Sequence, residues 1–223
     1  MQPRREFIRS AMQKHCPFKC FFGFEEIEEL IKLKKKGDPF LYGDHAYFSR
    51  GYEKGNFRYT YNNIHQTKLL DVDGERRKLY PVTPKEWKQG DKILFIPAPK
   101  NPLSYHKELK WNEETLERLV KLTNRTIDIK KNKTNGLGNS IHNCWAIVSH
   151  SSVASVEAAI QGIRVVGPKT SPANQIGVSL DQIENPIEPD REQWINTLTY
   201  SQFNISEIQN GTAWKIIKET ENL

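Results

Sequence analysis

The sequence predicts an α/β protein whose second half folds around an open parallel sheet. Three observations carry that prediction. From Lys92 onward, short apolar runs alternate with stretches of helical periodicity; the runs are continuous, as strands buried on both faces require; and the connections between them are short. A chain of 223 residues, 37% hydrophobic and with a mean hydropathy of -0.69, is long enough for one large domain or two small ones. Its composition fits neither disorder, collagen nor a coiled coil. No apolar run approaches the ~20 residues that span a bilayer, and the basic amino terminus lacks an apolar h-region. A cytoplasmic protein without a membrane partner is expected.

Glu25 to Lys36 places Ile27, Leu30, Ile31 and Leu33 at helical spacing, and Gly37 closes that helix with Pro39 beyond it. A short strand, Phe40 to Tyr42, should end in a turn at Gly43-Asp44. Residues 47–70 are dense in Tyr, Phe, Asn and Arg and read as strands joined by loops. Asp71 to Gly90, with Gly74, Pro81 and Pro84, reads as a polar connector and a domain boundary.

The regular part then begins. Ile93 to Ile96 reads as a buried strand broken by Pro97. Asn112 can cap a helix carrying Leu116, Leu119 and Leu122, and Glu113-Glu114 suit its positive end. Thr126 to Ile129 is a second strand and Cys144 to Val148 a third, ending in Ser149-His150-Ser151-Ser152. A helix from Val153 to Gln161 and a strand at Arg164 to Val166 follow. Asp190 caps a helix running through Leu198 with Trp194 and Ile195 inward, and another helix runs from Ser206 to Lys218. Three domains result: 1–90, 91–189 and a helical 190–223.

Cys16, Cys20 and Cys144 cannot all pair with one another, which suggests free thiols. Cys16 and Cys20 beside His15 lack a second cluster to complete a zinc site, and Asp71-Val-Asp73 reads as a charged turn, so no metal is expected. The net charge of +6 is uneven along the chain. Residues 181–223 hold eight acids against three bases, which leaves residues 1–180 with 30 bases against 19 acids, or +11. Such a balance attracts polyanions, DNA among them.

In an open parallel sheet the ligand sits beyond the carboxyl ends of the strands. There Ser151 and Ser152 offer hydroxyls, unpaired backbone N–H groups and a helix dipole to a phosphate. Lys130, Lys131 and Lys133 can add charge, Pro97 and Ala98 form the neighbouring loop, and Glu157 is placed to accept from a ribose diol. The combination describes a nucleotide diphosphate site.

The segment Ser151-Ser152-Val-Ala-Ser-Val-Glu157-Ala-Ala-Ile-Gln-Gly162 resembles the donor-binding segment of GT-B glycosyltransferases. The wider chain, over roughly residues 40–215, is similar to small glycosyltransferase-like proteins of tailed phages. Supporting segments are Asp44-His45-Ala-Tyr47-Phe-Ser-Arg50-Gly51, Lys92 to Pro97, Arg125 to Lys130, and Asp190 through Trp214. The resemblance implies two Rossmann-like parallel-sheet domains, the first reduced, with the carboxyl-terminal helices bracing it. It implies a nucleotide-sugar donor, a UDP-sugar by preference, on the second domain and an acceptor on the first.

Ser149 stands where retaining members often carry Glu, which favours inversion. Asp44 is then the expected base at an interdomain cleft, or else His45, whose ordinary pKa is nearer neutrality. Arg50 and Arg58, with Lys133, are expected to hold acceptor or leaving-group phosphate. The acceptor expected is a 5-hydroxymethyl pyrimidine in phage DNA. A saccharide or lipid-linked acceptor, or a non-catalytic nucleotide-sugar or DNA-binding module, are the alternatives.

Overall fold

The computed structural model describes residues 2–51, 54–130 and 137–223. The chain begins with helix α1 (Gln2–Gln13), strand β1 (Lys19–Phe22), helix α2 (Ile27–Lys36) and strands β2 (Phe40–His45) and β3 (Asn56–Tyr61). A 3-10 turn at Glu75–Leu79 precedes strand β4 (Lys92–Ile96), helices α3 (Lys100–His106) and α4 (Trp111–Leu122) and strand β5 (Thr126–Ile129). Then come β6 (Cys144–Ser149), α5 (Val153–Ile160) and β7 (Arg164–Val166). Helix α6 (Glu192–Tyr200), strand β8 (Gln202–Asn204) and helices α7 (Ile205–Gln209) and α8 (Thr212–Thr220) complete the order. The fold is mixed α/β with a parallel sheet. No described helix is long and apolar enough to cross a membrane.

The chain divides into two units, Met1–Val82 with Glu192–Leu223, and Thr83–Arg191. The first holds a mixed sheet of order β1-β2-β3-β8, in which only β1 and β2 run parallel. This departs from the parallel sheet expected there. The reason is local: only ten residues separate β2 from β3, fewer than a parallel crossover needs, and the pair is antiparallel. Ile8, Met12, Phe22, Leu41, Phe57, Phe203 and Ile217 form its core. Cys16 and Cys20 lie within this core, and all three cysteines are free and buried.

Arg76 ties the carboxyl-terminal segment into this unit. Its guanidinium donates to the carbonyls of Thr199 (3.0 Å) and Gln202 (2.9 Å) and to both carboxylate oxygens of Glu207 (2.6 and 3.3 Å). Phe203 lies under it, with the ring centroid 5.0 Å away. Glu207 is itself held, since it and Asn204 form a capping box at α7. The single helix expected over Ser206 to Lys218 is broken at Gly211, whose φ of 86° leaves helical space and starts α8 afresh.

The second unit is an all-parallel sheet of order β5-β4-β6-β7. Ile93, Phe95, Ala146, Val148 and Val166 pack on one face against Leu119 of α4. Helix α5 ends at Gly162 (φ 81°), where an added Cβ would stand 2.0 Å from the Glu86 carbonyl oxygen. Residues 85–88 run against that end, with Lys85 N–H on the Ile160 carbonyl and Lys88 N–H on that of Gly162. Arg191 clamps them by donating to the carbonyls of Ala159 and Lys85, both at 2.7 Å.

Replacing Arg76 by Met should cost about 3–5 kcal/mol in denaturant unfolding, because it leaves the largely buried Glu207 without its cation and removes the donors Arg76 gives to two carbonyls. A loss below about 1 kcal/mol would mean that the carboxyl-terminal segment docks without this contact.

Candidate functional site

In the second unit the chain leaves β4 for β5 on one side and returns to β6 on the other. The switch in strand order therefore falls between β4 and β6, whose carboxyl ends are level: Ile96 pairs with Ser149. Two turns open there. The first, Pro97-Ala98, is fixed by Asn112, whose side chain accepts from Ala98 N–H (2.8 Å) and donates to its carbonyl (2.9 Å). Asn112 was expected to cap α4; the helix instead starts at Trp111, and the amide is spent on this turn.

The second turn, Ser149 to Ser152, carries His150. This residue has no solvent exposure. Its Nδ1 lies 2.9 Å from Ser151 Oγ, and its Nε2 bonds to the Glu108 carboxylate. The Trp111 ring meets it edge-on at 5.0 Å and the His106 imidazole lies at 5.3 Å. Burial depresses the His150 pKa below its ordinary value, and the Glu108 carboxylate opposes that shift without overcoming it. Lys107 places Glu108: it adopts φ 62° as the left-handed cap of α3, a conformation that costs a non-glycine residue about 1 kcal/mol. The Glu108 N–H then closes on the Leu103 carbonyl at 2.8 Å.

Ser152 is the N-cap of α5, accepting from Ala154 N–H at 3.2 Å. Ser155 in the first turn accepts from Ser171 Oγ at 3.3 Å. Ser149, fully buried, has a hydroxyl with no hydrogen-bond partner among the described residues. Glu157 is half-buried and accepts the Leu137 N–H at 3.4 Å. The Lys130 N–H bonds the Phe95 carbonyl at 2.9 Å, placing that lysine just past β5. Lys131 and Lys133 lie outside the described residues.

The other predicted residues belong to the first unit. Asp44 and His45 are not in a turn: β2 continues through both, paired with Arg58 and Phe57 of β3. Asp44 accepts from its neighbour His45 N–H (2.7 Å), the Tyr42 hydroxyl (3.1 Å) and Arg58 (3.2 Å). Arg58 is buried and also donates to the carbonyls of Ile64 and His45, so its guanidinium serves the fold. His45 is half-buried, and burial holds its pKa below the ordinary value despite Asp44 beside it. Arg50 is exposed nearby and adds to that depression. Asp73, of the Asp-x-Asp pair, accepts from Glu75 N–H and the Tyr200 hydroxyl.

A pocket of 290 Å³ borders the same site, lined by Trp111, Glu114, Arg118, Gly167, Pro168 and Asp181. It sits at the small end of the ~300–1,000 Å³ typical of ligand pockets, room for one ring rather than a whole nucleotide sugar. A larger groove of 660 Å³ lies at the amino ends of β4 and β5, away from the switch point. Comparison with protein-family models and with curated proteins gives no match.

His150 and Glu108 were missed from sequence because they stand 42 residues apart and nothing local links them. His150 binds fewer protons folded than unfolded, so stability should fall as pH drops below about 6.5, where the unfolded imidazole charges first. Urea unfolding between about pH 5 and 7 should show a shallower fall for His150→Gln than for the wild type. Equal slopes would contradict that.

Proposed function

We propose that the protein is a nucleotide-sugar-dependent, inverting glycosyltransferase of GT-B type, with the second unit holding a UDP-sugar and the first serving the acceptor. The observation that supports it best is the convergence of Ser149, Ser151, Ser152 and the N-terminal turn of α5 at the switch point of a parallel sheet. Hydroxyls and a helix dipole together suit a diphosphate. Glu157, which accepts from Leu137 N–H in the segment before β6, is the residue proposed for the ribose diol.

The acceptor oxygen attacks the anomeric carbon while the bond to the diphosphate breaks, the electron pair leaving with the phosphate and the acceptor proton passing to a base. Of the two candidates, His45 takes precedence over Asp44. Its depressed pKa keeps it neutral near pH 7, whereas the Asp44 oxygens are engaged by three donors.

The acceptor proposed is a 5-hydroxymethyl pyrimidine in DNA, supported by the net charge of +6. That charge is shared evenly, since the eight acids of residues 181–223 divide four to each unit. The first unit has 18 bases against 15 acids and the second 15 against 12. Steering of DNA is correspondingly weaker than the linear sequence implies.

Incubating hydroxymethylated duplex with UDP-sugars should add one sugar mass per modified base by mass spectrometry, and Ser152→Gly should weaken donor binding about tenfold at little cost to the helix. Transfer to saccharide acceptors alone would replace the DNA assignment. No transfer and no nucleotide-sugar binding would remove the whole reading.

A further inference from the structure

The turn between α1 and β1 brings two sulfurs together. Both thiols are free and buried, Cys16 with 4% of its surface exposed and Cys20 with 1%. The Phe18 N–H donates to Cys16 Sγ at 3.3 Å, the Cys20 thiol reaches the Phe18 carbonyl at 3.6 Å, and the two thiols are hydrogen-bonded to each other. Gln13, the last residue of α1, fixes the turn. Its Nε2 donates to the carbonyls of Cys16 (3.1 Å) and Phe18 (2.9 Å), and its Oε1 accepts the Cys20 N–H (2.9 Å). Three bonds from one side chain hold the two sulfur-bearing residues in register.

The two thiols are not equivalent. The hydrogen bond from Cys20 holds Cys16 below its ordinary pKa against the effect of burial, and the Phe18 N–H adds to it. The same bond, and burial after it, raise Cys20. One sulfur is therefore the more readily ionised nucleophile, and its neighbour keeps a proton beside it. Sulfurs already at hydrogen-bond range have only to close to the ~2.05 Å of a disulfide.

We propose that Cys16 and Cys20 are a peroxide-reactive dithiol that oxidises in the folded protein to an intramolecular disulfide, Cys16 attacking and Cys20 resolving. The site belongs to the first unit and is independent of the donor site proposed above. Burial selects the oxidant: with so little sulfur surface exposed, a molecule near the size of water, such as hydrogen peroxide, reaches Cys16, whereas a peptide disulfide does not. The Cys16 thiolate attacks one peroxide oxygen, the O–O bond breaks, and hydroxide leaves and takes up a proton, so that Cys16 becomes a sulfenic acid. The thiolate charge that favoured the proton on Cys20 is then gone. The Cys20 sulfur attacks Cys16 Sγ, the S–O bond breaks, and the hydroxyl leaves with the Cys20 proton as water. Two thiols are oxidised by two electrons and one peroxide is reduced to two waters. The new bond ties the end of α1 to β1.

The test is peroxide treatment of the folded full chain, then unfolding in urea with iodoacetamide, trypsin digestion and mass spectrometry. Trypsin cuts after Lys14, Lys19 and Lys32, which puts Cys16 and Cys20 in separate peptides, 15–19 and 20–32. The wild type should yield these peptides joined, at their summed mass less two hydrogens, while Cys144, held above its ordinary pKa by burial, is recovered alkylated. In Cys20→Ser, whose hydroxyl still donates to Cys16, the sulfenic acid should persist and be trapped on Cys16 when dimedone replaces iodoacetamide. In Cys16→Ser, Cys20 should remain alkylatable. Recovery of both cysteines singly alkylated from the treated wild type, or joining only when peroxide meets the unfolded chain, would overturn the proposal. A dimedone adduct on Cys20 in Cys16→Ser would overturn the assigned order of attack.

Discussion

The second unit depends on β4 and β6 lying side by side in parallel. Parallel neighbours cannot be joined by a tight turn, so the chain must leave the sheet from β4, cross over and come back. Here it crosses first to β5 on one flank and then to β6 on the other. The connections diverge, and a crevice is left at the carboxyl ends. Everything assigned to the site is a consequence: the turn pinned by Asn112, the four-residue turn into α5, and the connection from α3 to α4 that delivers Glu108 and Trp111.

Within that crevice, burial of an imidazole sets the chemistry. A fully enclosed histidine is tolerated because both nitrogens are satisfied, by Ser151 and by Glu108. Burial favours the neutral ring and prevails, whereas the carboxylate favours the charged one. The left-handed Lys107 indicates that the backbone bears a cost to hold Glu108 where it is.

The parallel sheet was legible because its strands are short, apolar and separated by helical periodicity; strand positions from Ile93 to Val166 follow from that pattern alone. Helix α1 was not, since Ile8 and Met12 are buried among arginines and polar residues that obscure the stripe. Strand β8 was equally hidden, as three residues of Gln-Phe-Asn carry no periodicity and pair only because β3 offers an open edge. In the site, Ser152 as helix cap was readable from local rules, as was the Gly162 stop. The pairing of His150 with Glu108 was not, and neither was the capture of Arg58 by Asp44 across two antiparallel strands. Local chemistry shows in sequence; contacts made by topology do not. The charge distribution shows the same limit, because only residues 192–223 of the acidic tail fold with the basic amino-terminal segment, where Glu207 and Glu192 pair with Arg76 and Arg77.

The central claim is that a diphosphate rests where β6 turns into α5. Backbone amide resonances of the labelled protein, followed during titration with UDP-glucose, address it most directly. The account predicts the largest shifts at Ser151 through Ser155, with the His150 ring following. Shifts confined to other segments, or none at saturating UDP-glucose, would contradict it.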